Sequence, residues 1–145
     1  MRVVLDTNIL VSALIAPAGS PAAIYNAWED GRFTLLTCAE HIAEVRATLQ
    51  KPRIAALIAP YKAGRLVNQI KKLAANIANL PDVRRSADPS DDFLLALAEA
   101  GEADYLVTGD KSGLLILKKH KGAQIVTARQ FTETIVGRDR PGSPG

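Results

Sequence analysis

Val3-Val4-Leu5-Asp6-Thr7-Asn8-Ile9-Leu10 is the stretch whose reading decides the fold, because an apolar run suited to burial stops abruptly at a carboxylate. Val3, Val4 and Leu5 are continuous, apolar and largely β-branched, the pattern of a central parallel strand covered on both faces. Asp6 falls at its carboxyl end, and in open α/β sheets ligands and metals gather just outside those ends. The purely structural alternative is that Asp6 caps the following helix while Thr7 and Asn8 turn the chain. The two readings differ in what the carboxylate touches.

Around this stretch the 145 residues are enough for one domain that buries roughly two-thirds of its unfolded surface. We read residues 1–136 as that domain and 137–145, with its Pro, Gly and Arg content, as a disordered tail. A hydrophobic content of 48% beside 23% charged residues is that of an ordinary globular protein. Cys38 stands alone, which excludes an internal disulfide and a cysteine-rich zinc site and points to a reducing compartment. No secretory leader or membrane-length apolar run is visible, so the cytoplasm is the expected location and no membrane partner is expected. The net charge of +3 is compatible with a polyanionic partner, but the excess is small.

Along the chain, Ile9 to Ile15 reads as a short apolar helix, and Ser20-Pro21 as the cap and first position of a helix that stops at Gly31. Phe33 to Leu36 is the second strand. Thr37 and Glu40 have the spacing of a capping box, and Cys38, Ile42, Val45 and Leu49 form the core stripe of the next helix, with Glu44 on its rim. A short helical piece from Ile54 to Ala59 closes at Pro60. One longer helix is expected from Lys62 to Asn79, with Leu66, Val67, Ile70, Leu73, Ala74 and Ile77 on a single face.

Leu80 to Arg85 reads as an edge strand or connector. Asp88-Pro89-Ser90-Asp91-Asp92 then opens the helix Phe93 to Ala98, with Ser90 as its expected cap; three acids in five positions exceed what capping requires. Tyr105-Leu106-Val107 is a buried strand leading to Thr108-Gly109-Asp110. A helix from Ser112 to Lys119, a strand at Ile125-Val126 and a helix capped by Thr127 complete the domain. The alternation predicts a three-layer α/β/α fold around a central parallel sheet of four or five strands.

Four acidic positions share this pattern: Asp6 and Asp110 after strands, Glu44 on a helix rim, and Asp91 or Asp92 at a helix start. Brought together, such carboxylates repel unless a cation lies among them, and hard oxygen donors favour Mg²⁺ or Mn²⁺ over zinc. Ions of that kind activate water and stabilise charge on a phosphodiester under in-line attack. His41 and His120 read as surface residues, with nothing to place either beside a nucleophile.

On these residues the chain resembles a PIN-domain ribonuclease, nearest to the VapC-type toxins of prokaryotic toxin–antitoxin pairs. The motifs are Leu5-Asp6-Thr7-Asn8, Glu44 in its helix, Asp88 to Asp92 before Phe93-Leu94-Leu95-Ala96-Leu97-Ala98, and Leu106-Val107-Thr108-Gly109-Asp110. The resemblance implies that Asp6, Glu44, Asp92 and Asp110 hold Mg²⁺ or Mn²⁺, with Asp91 as an alternative to Asp92. It also implies that Thr7, Asn8 and Thr108 support them from behind. Cys38 departs from the Ser or Thr common in similar proteins, and Asp88 has no catalytic counterpart. The family's sheet order, third-second-first-fourth-fifth, sets the strands of Asp6 and Asp110 side by side. A homodimer, an RNA substrate and a cognate antitoxin are further implications.

Candidate phosphate contacts are Lys62, Arg65, Lys71, Lys72, Lys118, Lys119 and Lys121, although a basic helix face is more often simply solvated. An aspartyl-phosphate phosphatase also begins with Asp after a first strand, but it needs a second Asp two positions on, where this chain has Asn8. The remaining alternative is a PIN-like module that binds RNA or protein without cleaving.

Overall fold

The computed structural model describes residues 1–109 and 113–139 of the chain. In chain order these form β1 (Arg2–Leu5), α1 (Thr7–Ile15), α2 (Ser20–Glu29), β2 (Thr34–Thr37), α3 (Ala39–Gln50), α4 (Pro52–Ala55), α5 (Pro60–Leu73), β3 (Ala75–Asn76), α6 (Asp92–Ala100), β4 (Tyr105–Val107), β5 (Lys119–His120), β6 (Ala123–Val126) and α7 (Ala128–Asp139). The sheet order is β3-β2-β1-β4-β6-β5, parallel throughout except for the β5–β6 hairpin at one edge. This is the expected three-layer arrangement, with six strands in place of the expected four or five because the two-residue β5 adds an edge hairpin, and with the strand of Asp6 beside the strand that leads towards Asp110. Asp110 itself, Lys111, Ser112 and residues 140–145 lie outside the described residues.

Strand alternation divides the core. Val3, Leu5, Leu35 and Val107 face one layer, where they meet Leu10, Ile24, Val45, Leu66, Ile70 and Phe131 from α1, α2, α3, α5 and α7. Val4, Leu36 and Leu106 face the other, which α6 covers with Leu94, Leu95 and Leu97. The second layer has one long helix, so Ile77, Leu80 and Val83 of the connector between β3 and α6 complete its cover. Among the described residues no single helix is long and apolar enough to cross a membrane. α1 and α2 have the combined length but meet at 99°, and both contribute buried residues to the core.

The structure corrects several local expectations. The helix expected to reach Asn79 ends at Leu73, which is exposed, and Ala74 turns extended so that Ala75–Asn76 can pair with the open edge of β2. The amide of Ile77 then donates to the Thr37 carbonyl, and its side chain packs in the α6 layer instead of continuing the α5 face. In place of a helix to Lys119 there is one 3₁₀ turn, Leu115–Leu117, followed by the β5–β6 hairpin, with Lys118 and Lys121 at positive φ.

Capping differs as well. Thr37 is a buried strand residue whose hydroxyl has no hydrogen-bond partner among the described residues, and α3 starts after Cys38 without a side-chain cap. Gly19 rather than Ser20 precedes α2. A reciprocal capping box does form at Thr127 and Gln130, with bonds of 2.9 and 3.1 Å, as expected for Thr127. Both histidines are buried, against the surface reading. His41 is fully enclosed near Phe93, and His120 is the buried residue of β5 in the hairpin.

Gly101 closes α6 where there is no room for a side chain. A Cβ there would lie 2.6 Å from Leu36 Cδ1 and 3.1 Å from the Leu97 carbonyl oxygen, and Leu36 is itself fully buried. Gly101→Ala should therefore cost about 1–3 kcal/mol, read as a lower urea midpoint at unchanged slope.

Burial holds the His41 imidazole down at about 4, so the folded protein keeps it neutral. Its contribution is complete above the ordinary histidine range and is lost as pH falls from about 6.5 towards 4, where only the unfolded chain takes up the proton. That amounts to roughly 3 kcal/mol across the window. In urea titrations at about pH 7 and pH 4.5, His41→Leu should show a shallower acid loss than the wild type. Equal acid losses would mean that His41 titrates freely.

Candidate active site

Asp6 follows the last residue of β1, and its amide continues the sheet by donating to the Val107 carbonyl at 2.9 Å. It occupies the cap position of α1, where its carbonyl accepts from Ile9, but its side chain makes no cap hydrogen bond. The carboxylate turns across to β4 instead, and Oδ2 accepts the Thr108 hydroxyl at 2.8 Å. Asp6 is only 6% exposed and Thr108 is fully buried, so this bond is made away from bulk water. The structural alternative, a carboxylate engaged in helix capping, is not what the side chain does. Thr7 is buried with a hydroxyl that has no partner among the described residues, and Asn8 is exposed.

The acids before α6 have separate tasks. Asp88 caps the 3₁₀ turn Pro89–Asp91, with Oδ1 accepting the Ser90 amide at 3.0 Å and the Ser90 hydroxyl at 2.8 Å. Ser90, the expected cap, is thus the donor. Asp91 and Asp92 are both part-buried, and Asp91 precedes α6 without a side-chain cap bond. Asp92 Oδ1 receives the amides of Arg85 and Ser86 at 3.2 and 2.7 Å, tying the connector to the start of α6.

Glu44 is part-buried on the flank of α3, one turn after Glu40. A cleft of about 550 Å³ opens between α3, the connector and α6, lined in part by Glu40, Leu80, Val83, Arg85, Asp92 and Phe93. Asp6 and Glu44 are not among its lining residues. Among the described residues no three His, Cys, Asp or Glu side chains are grouped closely enough to hold a metal ion. The donor types are nevertheless the hard oxygens that suit Mg²⁺ or Mn²⁺. Burial pushes the Cys38 thiol up, which makes it a poor nucleophile.

Sequence reasoning missed the polar network that anchors the connector. His120 Nδ1 lies 2.8 Å from Arg85 Nη1, and Nε2 lies 2.9 Å from Glu99 Oε1. Arginine only donates, so Nδ1 accepts and the ring hydrogen belongs on Nε2, directed at Glu99. Arg85 Nη1 also donates to the Lys119 carbonyl at 3.1 Å. Three segments remote in sequence meet here, and no local pattern announces such a meeting.

Of the candidate phosphate contacts, Lys62, Arg65, Lys71 and Lys72 are exposed on α5, and Lys118, Lys119 and Lys121 on the β5–β6 hairpin. Arg65 pairs with Glu29 at 3.1 Å.

No curated protein matches the chain. Its fold is similar to that in the crystal structure of PAE2754 from Pyrobaculum aerophilum, with a TM-score of 0.57 at 20% identity over 93% of this chain and 88% of that one. At that identity the likeness bears on the fold alone. The PIN-domain family model matches residues 2–112, from β1 through the segment after β4 that carries Asp110. The chain therefore belongs to the PIN-domain family, whose members are typically nucleases.

Proposed function

We propose that this protein is an Mg²⁺- or Mn²⁺-dependent endoribonuclease that hydrolyses RNA phosphodiesters, with Asp6, Glu44, Asp92 and Asp110 as its acidic quartet. The observation that carries the reading is the buried Asp6 carboxylate, which leaves helix capping to its backbone and is oriented across the sheet by Thr108. A carboxylate desolvated at the carboxyl end of a central strand calls for a cation or a reaction to justify it.

When bound, a divalent ion supplies Lewis-acid polarisation of water and phosphate. The chain's own residues do the rest. Thr108 fixes the rotamer of Asp6, Asp92 offers Oδ2 while Oδ1 holds the connector, and Glu44 would be the ligand supplied by α3. Asp91 stands next to Asp92 as the alternative ligand. Thr7 and Asn8 support the turn after β1. Lys62, Lys71, Lys72, Lys118, Lys119 and Lys121 are exposed cations for the RNA backbone, and Arg65 joins them only by sharing itself with Glu29. As a VapC-type toxin the protein would act in the cytoplasm, as a homodimer, under an antitoxin that covers the acidic quartet.

The test is cleavage of a mixed RNA pool with Mg²⁺, with Mn²⁺ and with EDTA, comparing the wild type with Asp6→Asn and Thr108→Val after both are shown to fold. Cutting should require the metal and fall on the order of 100-fold or more in Asp6→Asn, with a loss of about 10–100-fold in Thr108→Val. Absence of cutting under every metal, with RNA or partner binding intact in Asp6→Asn, would instead identify a non-catalytic binding module.

Binding to single-stranded RNA should weaken with salt at a log–log slope of about −0.7 for each phosphate contacted. A flat salt titration would remove the lysines from the interface.

A further inference from the structure

α5 runs from Pro60 to Leu73 with Lys62, Arg65, Lys71 and Lys72 and without a single acid. It therefore carries +4 in a chain whose total is +3, so the rest of the molecule is slightly negative. At 100° per residue, Leu66 and Ile70 point into the core, and Tyr61, Arg65, Asn68 and Lys72 line up along the opposite face. From Tyr61 to Lys72 this row spans about 16 Å.

Tyr61 begins the row, with 71% of its surface exposed. Gly64 follows one turn later, where even a Cβ would meet nothing, so the face has a notch beside the ring. A groove of about 450 Å³ runs along the helix, lined by Tyr61, Gly64, Arg65, Asn68, Gln69 and Lys72. A second groove lies on the other side of Tyr61, towards α1 and α2, so the ring stands as a ridge between two depressions.

We propose that this face of α5 is a track for single-stranded nucleic acid, with one base stacked on Tyr61 and the adjoining backbone held by Lys72 on the row and by Lys62 on the flank that lines the second groove. The inference rests on the reading of the protein as an RNA-directed enzyme and adds a recognition element to it. An exposed aromatic ring flanked by lysines is the combination by which single strands are held without sequence readout, and Glu29, which lines the second groove, is paired with Arg65. Asn68 and Gln69 supply hydrogen bonds of either polarity to sugar or base edges. A protein partner fits less well, since lysine is depleted in protein interfaces and most of this row is polar. Arg65, held by Glu29, acts chiefly to keep the row ordered.

Anisotropy of a labelled oligo(U) RNA in EDTA separates binding from cleavage, so the outcome does not depend on whether the protein is a nuclease. Tyr61→Ala should weaken binding about tenfold while Tyr61→Phe stays near the wild type, because the stacked ring matters and the hydroxyl does not. Lys72→Gln should reduce the salt slope by about 0.7. A duplex of the same length should be insensitive to Tyr61.

Wild-type affinity in Tyr61→Ala overturns the track, even if the protein cleaves RNA by the quartet. So does failure of the wild type to bind oligo(U). A Tyr61→Ala variant that loses affinity only because sedimentation shows a changed oligomeric state also overturns it and makes the face a self-association surface.

Discussion

The parallel pairing of β1 with β4 is the constraint on which the rest of the molecule depends. Val3, Val4 and Leu5 lie opposite Tyr105, Leu106 and Val107, and the ladder extends one step further through the Asp6 amide. Only in this register does the Thr108 hydroxyl reach Asp6 Oδ2, because a slip of one residue would turn every side chain to the other face. The partners are 102 residues apart, so closing this contact costs chain entropy that the two core layers must offset. The apolar alternation of both strands therefore does more than fill a core. It sets the rotamer of one buried carboxylate.

The connector between β3 and α6 is held by a different kind of force. It has no regular structure after Asn76 until the 3₁₀ turn at Pro89, yet it helps cover the α6 layer and walls the cleft. Its position is set by polar contacts: two amides on Asp92, and Arg85 between His120 and the Lys119 carbonyl. The network runs from exposed Arg85 to buried His120, and its buried end is strong only when every polar atom there is satisfied. Asp92 is thus a structural residue through one carboxylate oxygen, whatever the other does. The coupling makes the shape of the cleft depend on the β5–β6 hairpin, at the far edge of the sheet.

The sequence made the central strands legible because burial on both faces leaves a continuous apolar run, as in Val3-Val4-Leu5 and Tyr105-Leu106-Val107. Their order could not come from such runs and entered only through family resemblance. The break after Leu73 was invisible, since Ala74 and Ile77 extend the helical spacing by coincidence and the demand of the open β2 edge is non-local. The β5 strand is two residues long and set by the positive φ of Lys118 and Lys121, residues with no intrinsic preference for it. His41 and His120 were misread for the same reason. A polar residue's burial depends on what arrives from elsewhere in the chain, and for His120 that was Arg85 and Glu99.

The candidate site can also be reached by accounting for the acids, independently of any resemblance. Asp88 caps a turn, Asp104 accepts the Arg2 amide, Glu99 accepts from His120, Glu29 pairs with Arg65, and Asp82 pairs with Arg84 on the surface. Each has a task that folding alone explains. Glu44 is part-buried and makes no hydrogen bond or ion pair among the described residues. Asp6 is almost fully buried, and its carboxylate is turned across the sheet to the Thr108 hydroxyl instead of capping α1. Removing a carboxylate from water is unfavourable, so the burial of Asp6 is a cost to folding, and Glu44 spends its place on the flank of α3 on no structural bond among the described residues. Both are among the four positions that the family pattern implies, so the proposed quartet starts from two of the acids whose placement folding explains least.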